Sequence, residues 1–143
     1  MKKYIEIASL TIILLANFIA VYFLFLSFYP FKTLEVYEPV KVVGSKIVRR
    51  GESMDFELTY EKYVNAEVER TRVIICDDGN LVTLSSEAIL LPIGSHTLNT
   101  NHFIIPAKIS NGQCHVQWSS AYHINPLRTI IVTYSSENFT VVP

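Results

Sequence analysis

The sequence predicts an all-β protein: an antiparallel β-sandwich preceded by one N-terminal transmembrane α-helix. Three observations predict it. An uncharged apolar run occupies Ile7–Tyr29. Beyond it, apolar residues alternate with polar ones in short segments separated by Gly, Pro, Asn and Asp. No segment there shows the apolar repeat of an amphipathic helix, so the strands must bury one another's faces as two packed sheets. The chain divides into a cytoplasmic N-terminus (1–6), a transmembrane helix (7–30), a juxtamembrane linker or edge strand (31–39) and a β-sandwich ectodomain (40–143).

A helix over Ile7–Tyr29 spans roughly 34 Å, enough for a hydrocarbon core of about 30 Å. Asn17 is its one strongly polar side chain. Tyr4 stands near one end, and Tyr22, Phe28, Tyr29 and Phe31 cluster at the other, as an interfacial aromatic belt does. Pro30 cannot continue the ladder and marks the exit. Lys2 and Lys3 precede the span, whereas Lys32 is soon countered by Glu35 and Glu38. The positive-inside rule therefore puts the N-terminus in the cytoplasm and the C-terminal domain on the exported side, periplasmic or extracellular. The apolar core is too long for a cleaved signal peptide, so an uncleaved signal-anchor is expected. Ser9, Ala16, Ala20 and Ser27 fall near one helix face with Asn17 beside it. Such a face permits close approach of a second helix, in self-association or docking.

Strands follow in order. Leu34–Tyr37 precedes Pro39, which suits an edge strand or entry bend. Val40–Val43 and Lys46–Val48 flank Gly44-Ser45. Met54–Tyr60 is the clearest: Met54, Phe56, Leu58 and Tyr60 point one way and Asp55, Glu57 and Thr59 the other. Val68–Cys76 ends in Asp77-Asp78-Gly79-Asn80, where Asp-Gly signals a tight turn. Leu81–Leu84, Ala88–Leu91 and His96–Ile105 come next. Gln113–Ile124 carries Cys114, Val116, Trp118 and Tyr122 on one face. Thr129–Tyr134 and Phe139–Val142 close the domain.

An immunoglobulin-like or fibronectin-III-like topology is the natural arrangement for such strands. The Val68 and Gln113 strands are then antiparallel neighbours in one sheet, with Cys76 opposite Cys114. In an oxidising compartment the two pair, closing a loop of about 38 residues worth on the order of 3–4 kcal/mol. Two separate buried thiols are the alternative. Alternation from Cys76 also turns Arg70 and Arg72 towards the core, so a bulge or a place at the sheet rim is expected to relieve them. Trp118 is a core residue whose indole N–H needs a partner.

The Arg50-Gly51-Glu52 turn, Leu91-Pro92-Ile93-Gly94, Ile105-Pro106 and Tyr122-His123-Ile124-Asn125-Pro126-Leu127-Arg128 carry a resemblance. Over Val40–Val142 the chain resembles small single-pass membrane proteins of phage and prophage type with an immunoglobulin-like ectodomain. The resemblance implies effects on a host envelope, superinfection or lysis, and it carries over no active site.

Past the span, ten Lys/Arg stand against twelve Asp/Glu, so no basic field exists to hold nucleic acid. No phosphate loop, nucleophile elbow, HExxH or CxxC is present. His115 and His123 share a face of one strand but lie about 27 Å apart when extended; a metal would need a cross-strand pair such as His102 with either. Asp77 and Asp78 suit a turn better than a calcium site, which takes six to eight oxygens. Asn138-Phe139-Thr140 is a glycosylation sequon in a eukaryotic secretory pathway. The expected function is a non-enzymatic interaction module, without cofactor. It sits in the lipid bilayer and binds a protein partner, an envelope protein or a second copy of itself. The alternatives are an accessory subunit docking through its helix, and an exported enzyme or carbohydrate-binding module.

Overall fold

The computed structural model describes residues 2–84, 90–99 and 102–143. Among the described residues one helix, α1 (Lys2–Phe28), leads into eleven strands. Ile7–Phe28 has a mean hydropathy of 2.4 with none of it buried against the rest of the chain. At 22 residues it extends about 33 Å, so it is long and apolar enough to cross a membrane. The expected end at Pro30 moves back two residues, and Tyr29 N–H still bonds the Phe25 carbonyl.

The strands form two sheets. In the first, β4 (Ser53–Lys62) is central. On one edge it pairs with β1 (Leu34–Val36) and β2 (Lys41–Val43), on the other with β7 (Gly94–Leu98) and β8 (Phe103–Ile104), all antiparallel. The second sheet runs β3 (Ile47–Arg49), β11 (Phe139–Val142), β9 (Gly112–Asn125), β5 (Glu67–Cys76) and β6 (Leu81–Leu84), with β10 (Arg128–Ser135) also on β9. The entering strand thus changes sheets: β2 pairs with β4, while β3 lies parallel to β11.

The alternation seen in the sequence sets the core. Met54, Phe56, Leu58 and Tyr60 of β4 face Ile74, Cys76, Cys114, Val116, Trp118 and Tyr122 of the other sheet, and all are buried. Phe56 is the hub. It stacks on Phe103 at 5.3 Å and meets the edges of Trp118 and Phe139. Trp118 stacks on Tyr134 at 5.6 Å, yet its Nε1 has no partner.

Several expectations need correction. The His96–Ile105 strand is broken into β7 and β8, and part of it lies outside the described residues. So does part of the Ala88–Leu91 strand, of which Leu90 and Leu91 belong to no strand. No bulge relieves Arg70 and Arg72. The β5–β9 register is continuous from Glu67↔His123 to Cys76↔Cys114, and both arginines are buried at 3 % exposure.

Candidate functional site

The register fixes which loops share an end. Lys62 lies between Leu34 and Gly94, Glu67 opposite His123, and Asn125 opposite Arg128. The β4–β5 loop (63–66), the chain before β7 (90–93), the β9–β10 turn (126–127) and the helix exit (29–33) therefore meet at one end of the sandwich. The opposite end holds the disulfide, the Asp77–Asn80 turn and the C-terminus.

At the helix end, sequence and fold are joined by specific bonds. The last carbonyls of a helix lack intrahelical partners. Asn125 Nδ2 donates to the Leu26 carbonyl at 2.8 Å, while its Oδ1 accepts the Leu127 N–H at 2.9 Å. One side chain thus closes the β9–β10 turn and caps the helix. Beside it Lys32 pairs with Glu35 at 2.9 Å. Tyr63 donates to Glu35 at 3.0 Å or Glu61 at 3.1 Å, and Tyr63 N–H bonds the Thr33 carbonyl. The Lys32 and Tyr63 hydrogen bonds hold the Glu35 carboxyl below its ordinary pKa. An open cleft of about 300 Å³, lined by Phe31–Glu35, Ile130 and Val132, separates β1 from β10 here. Sequence reasoning used Asn125-Pro126 only as part of the segment that carries the resemblance; the polar side chain before the proline was the available signal.

The expected helix-contact residues Ser9, Ala16, Asn17, Ala20 and Ser27 are all exposed on α1. Asn17 Nδ2 donates to the Ile13 carbonyl at 2.9 Å and Ser27 Oγ to that of Phe23 at 2.9 Å.

The interior holds three cations and, among the described residues, no buried carboxylate. Lys62 Nζ donates to the Leu91 carbonyl at 2.7 Å. Burial, then the nearby Arg70, lower its pKa. Arg72 lies over the Phe103 ring at 5.9 Å. Arg70 is different: Nε and both terminal nitrogens are buried without a hydrogen-bond partner. Tyr60, Tyr122 and Tyr134 all lie within electrostatic reach of it, and the buried hydroxyl of Tyr122 is unsatisfied as well. Burial pushes Tyr122 up to about 12. Unsatisfied buried donors of this kind are commonly met by water or an ion.

At the far end Cys76 and Cys114 form a disulfide between adjacent strands. Gly79, at φ 82°, completes the Asp-Asp-Gly-Asn turn; its N–H bonds the Cys76 carbonyl, and Asp78 Oδ1 accepts from Asn80. Asp77 and Asp78 thus take turn positions. The histidines are dispersed. His102 pairs with Asp55 at 2.7 Å, not with another histidine, and His123 lies 3.7 Å from Glu69. No group of three or more His, Cys, Asp or Glu is placed to hold a metal among the described residues.

Two surfaces stand open. The outer face of β5–β9–β10 carries a row of small side chains, Thr71, Ser119 and Thr133, in register. Next to it Ile131, 66 % exposed, lies beside Ala121. The outer edge of β10 is unpaired over 128–134 among the described residues. A second cleft, about 340 Å³, is lined by Glu38, Glu57 and Glu137 among others. Its acids serve the fold: Glu38 accepts Ser135 N–H, Glu137 accepts Val42 N–H and pairs with Lys46, and Glu57 lies near Lys41.

No family model matches the chain, and no curated protein is similar to it.

Proposed function

We propose that this chain is a single-pass membrane protein that displays a non-enzymatic binding module on the exported side of the bilayer. The observation that carries the reading is the helix. Its 22-residue apolar segment has no buried face against the rest of the chain, which supports a lipid bilayer as its surroundings. Lys2 and Lys3 before it favour a cytoplasmic N-terminus. We further read the module as fibronectin-III-like. The pairing of the entering strand with both sheets, the sheet in which β4 is flanked on both sides, and the β6–β5–β9–β10 order support this. An exported location also accords with the disulfide.

The binding surface is the outer face of β5–β9–β10 together with the open β10 edge. Ile131 is a large apolar side chain amid small ones, and an unpaired edge offers backbone groups to a partner. If the chain is phage-encoded, that partner belongs to the host envelope.

Two measurements test this. The native cysteines are buried, so topology is read from Lys108→Cys on an exposed loop. A membrane-impermeant maleimide should label it in intact cells; labelling only after lysis would refute the exported placement. A photo-crosslinking residue at Ile131 should then give a discrete adduct in cells, with none from Leu81, which is equally exposed. Equal or absent adducts at both would remove the β10 face as the binding surface.

A further inference from the structure

The loops at the helix end of the sandwich carry large apolar side chains on their outer surfaces. Leu90 (81 % exposed) and Ile93 precede β7, Tyr63 begins the β4–β5 loop, Leu127 forms the β9–β10 turn, and Phe31 follows the helix. These come from four separate segments, and the strand register brings them to one end. Exposed apolar residues gathered at one end in this way mark an interaction surface.

The helix sets the depth of that surface. Asn125 bonds the carbonyl of Leu26, two residues before the end of α1. The β9–β10 turn therefore lies alongside the last turn of the helix, at the level where the apolar span ends. Leu127 is the residue after next, and its N–H is held by the same Asn125. From these contacts the geometry points to a lipid surface as the occupant: the helix end of the sandwich rests on the bilayer, with Leu127, Ile93, Leu90 and Phe31 in the interfacial layer. This rests on the reading of α1 as membrane-spanning. The contact is apolar and not electrostatic. Lys32 is already paired with Glu35, and Glu61, Glu67 and Glu69 lie at the same end, so anionic lipid is not what draws the domain down.

The test uses the full chain in bilayers containing lipids brominated either near the headgroup or deep in the acyl chain. Single tryptophans replace exposed residues: Leu127→Trp, Ile93→Trp, Leu14→Trp in the middle of the helix, and Ile47→Trp in β3. Trp118, fully buried, supplies a constant background. Leu14→Trp should be quenched by deep bromines. Leu127→Trp and Ile93→Trp should be quenched by shallow bromines severalfold more than Ile47→Trp, and to the same extent in high salt. Because tryptophan itself favours interfaces, Thr97→Trp on the outer face of β7 is the second control; it should behave as Ile47→Trp does. Quenching of Leu14→Trp with the two loop positions no different from the controls would overturn the docking and leave the anchor intact. Equal quenching at the loops and controls, or quenching abolished by salt, would likewise overturn it. Failure of Leu14→Trp to be quenched would overturn the anchor first, and the docking with it.

Discussion

Arg70 and Lys62 occupy inward positions because their strands alternate without interruption, not because their chemistry suits a core. A buried cation without a partner costs several kcal/mol, and exchanging it for an apolar residue of similar length is commonly neutral or stabilising. Arg70→Met should therefore raise stability by about 1–3 kcal/mol, measured by urea denaturation; a fall of that size would show that the guanidinium holds a water or anion the fold depends on. Lys62 predicts a pH dependence. Its folded pKa lies below the ordinary 10.5, so the folded protein gives up a proton before the unfolded chain does. Stability then rises with pH from that depressed pKa towards 10.5. Tyr122, raised from 10.0 to about 12, and Tyr134, raised likewise, act oppositely. Above pH 10 the unfolded chain ionises first and stability falls. Urea midpoints should climb into the alkaline range and then drop, and in Lys62→Met the climb should vanish while the drop remains.

The elements show what a sequence states plainly and what it withholds. Period-two alternation made β4 and β9 legible to within two residues at either end, because half-buried strands must alternate. The Cys76–Cys114 pairing was expected from the topology that makes their strands neighbours, with two separate thiols as the alternative, and the disulfide forms; β6 and β11 match their expected bounds. Less was legible where pairing is short. The break between β7 and β8 was marked only by the polar run Asn99-Thr100-Asn101-His102, which a single exposed strand could also carry. The change of sheet between β2 and β3 depends on which neighbour each segment finds, a property of the assembled fold. Asn125 was hidden for the same reason, since its partner Leu26 is 99 residues away in sequence. The disulfide gives the sharpest test at this scale. Cys76→Ala with Cys114→Ala should cost about 3–4 kcal/mol by the loop-closure argument, and the native protein in strong reductant should lose a similar amount.

For the whole molecule, the Asn125 cap makes the sandwich and the helix move together. Asn125→Ala should free the domain to swing on residues 29–33 without unfolding it. Time-resolved anisotropy of a fluorophore on Lys108→Cys in bilayers would then show a new, faster component at unchanged thermal stability. The way the chain enters the fold has a mechanical consequence. β3 follows from the helix side of the chain, β11 is the last strand among the described residues, and the two run parallel. A pull applied between the helix and the chain beyond β11 passes along these two strands in opposite directions. Their hydrogen bonds then bear it in shear, all at once and not one after another. The β3–β11 seam thus acts as a clamp, and the sandwich resists being drawn apart along the chain far better than it would if those bonds opened singly.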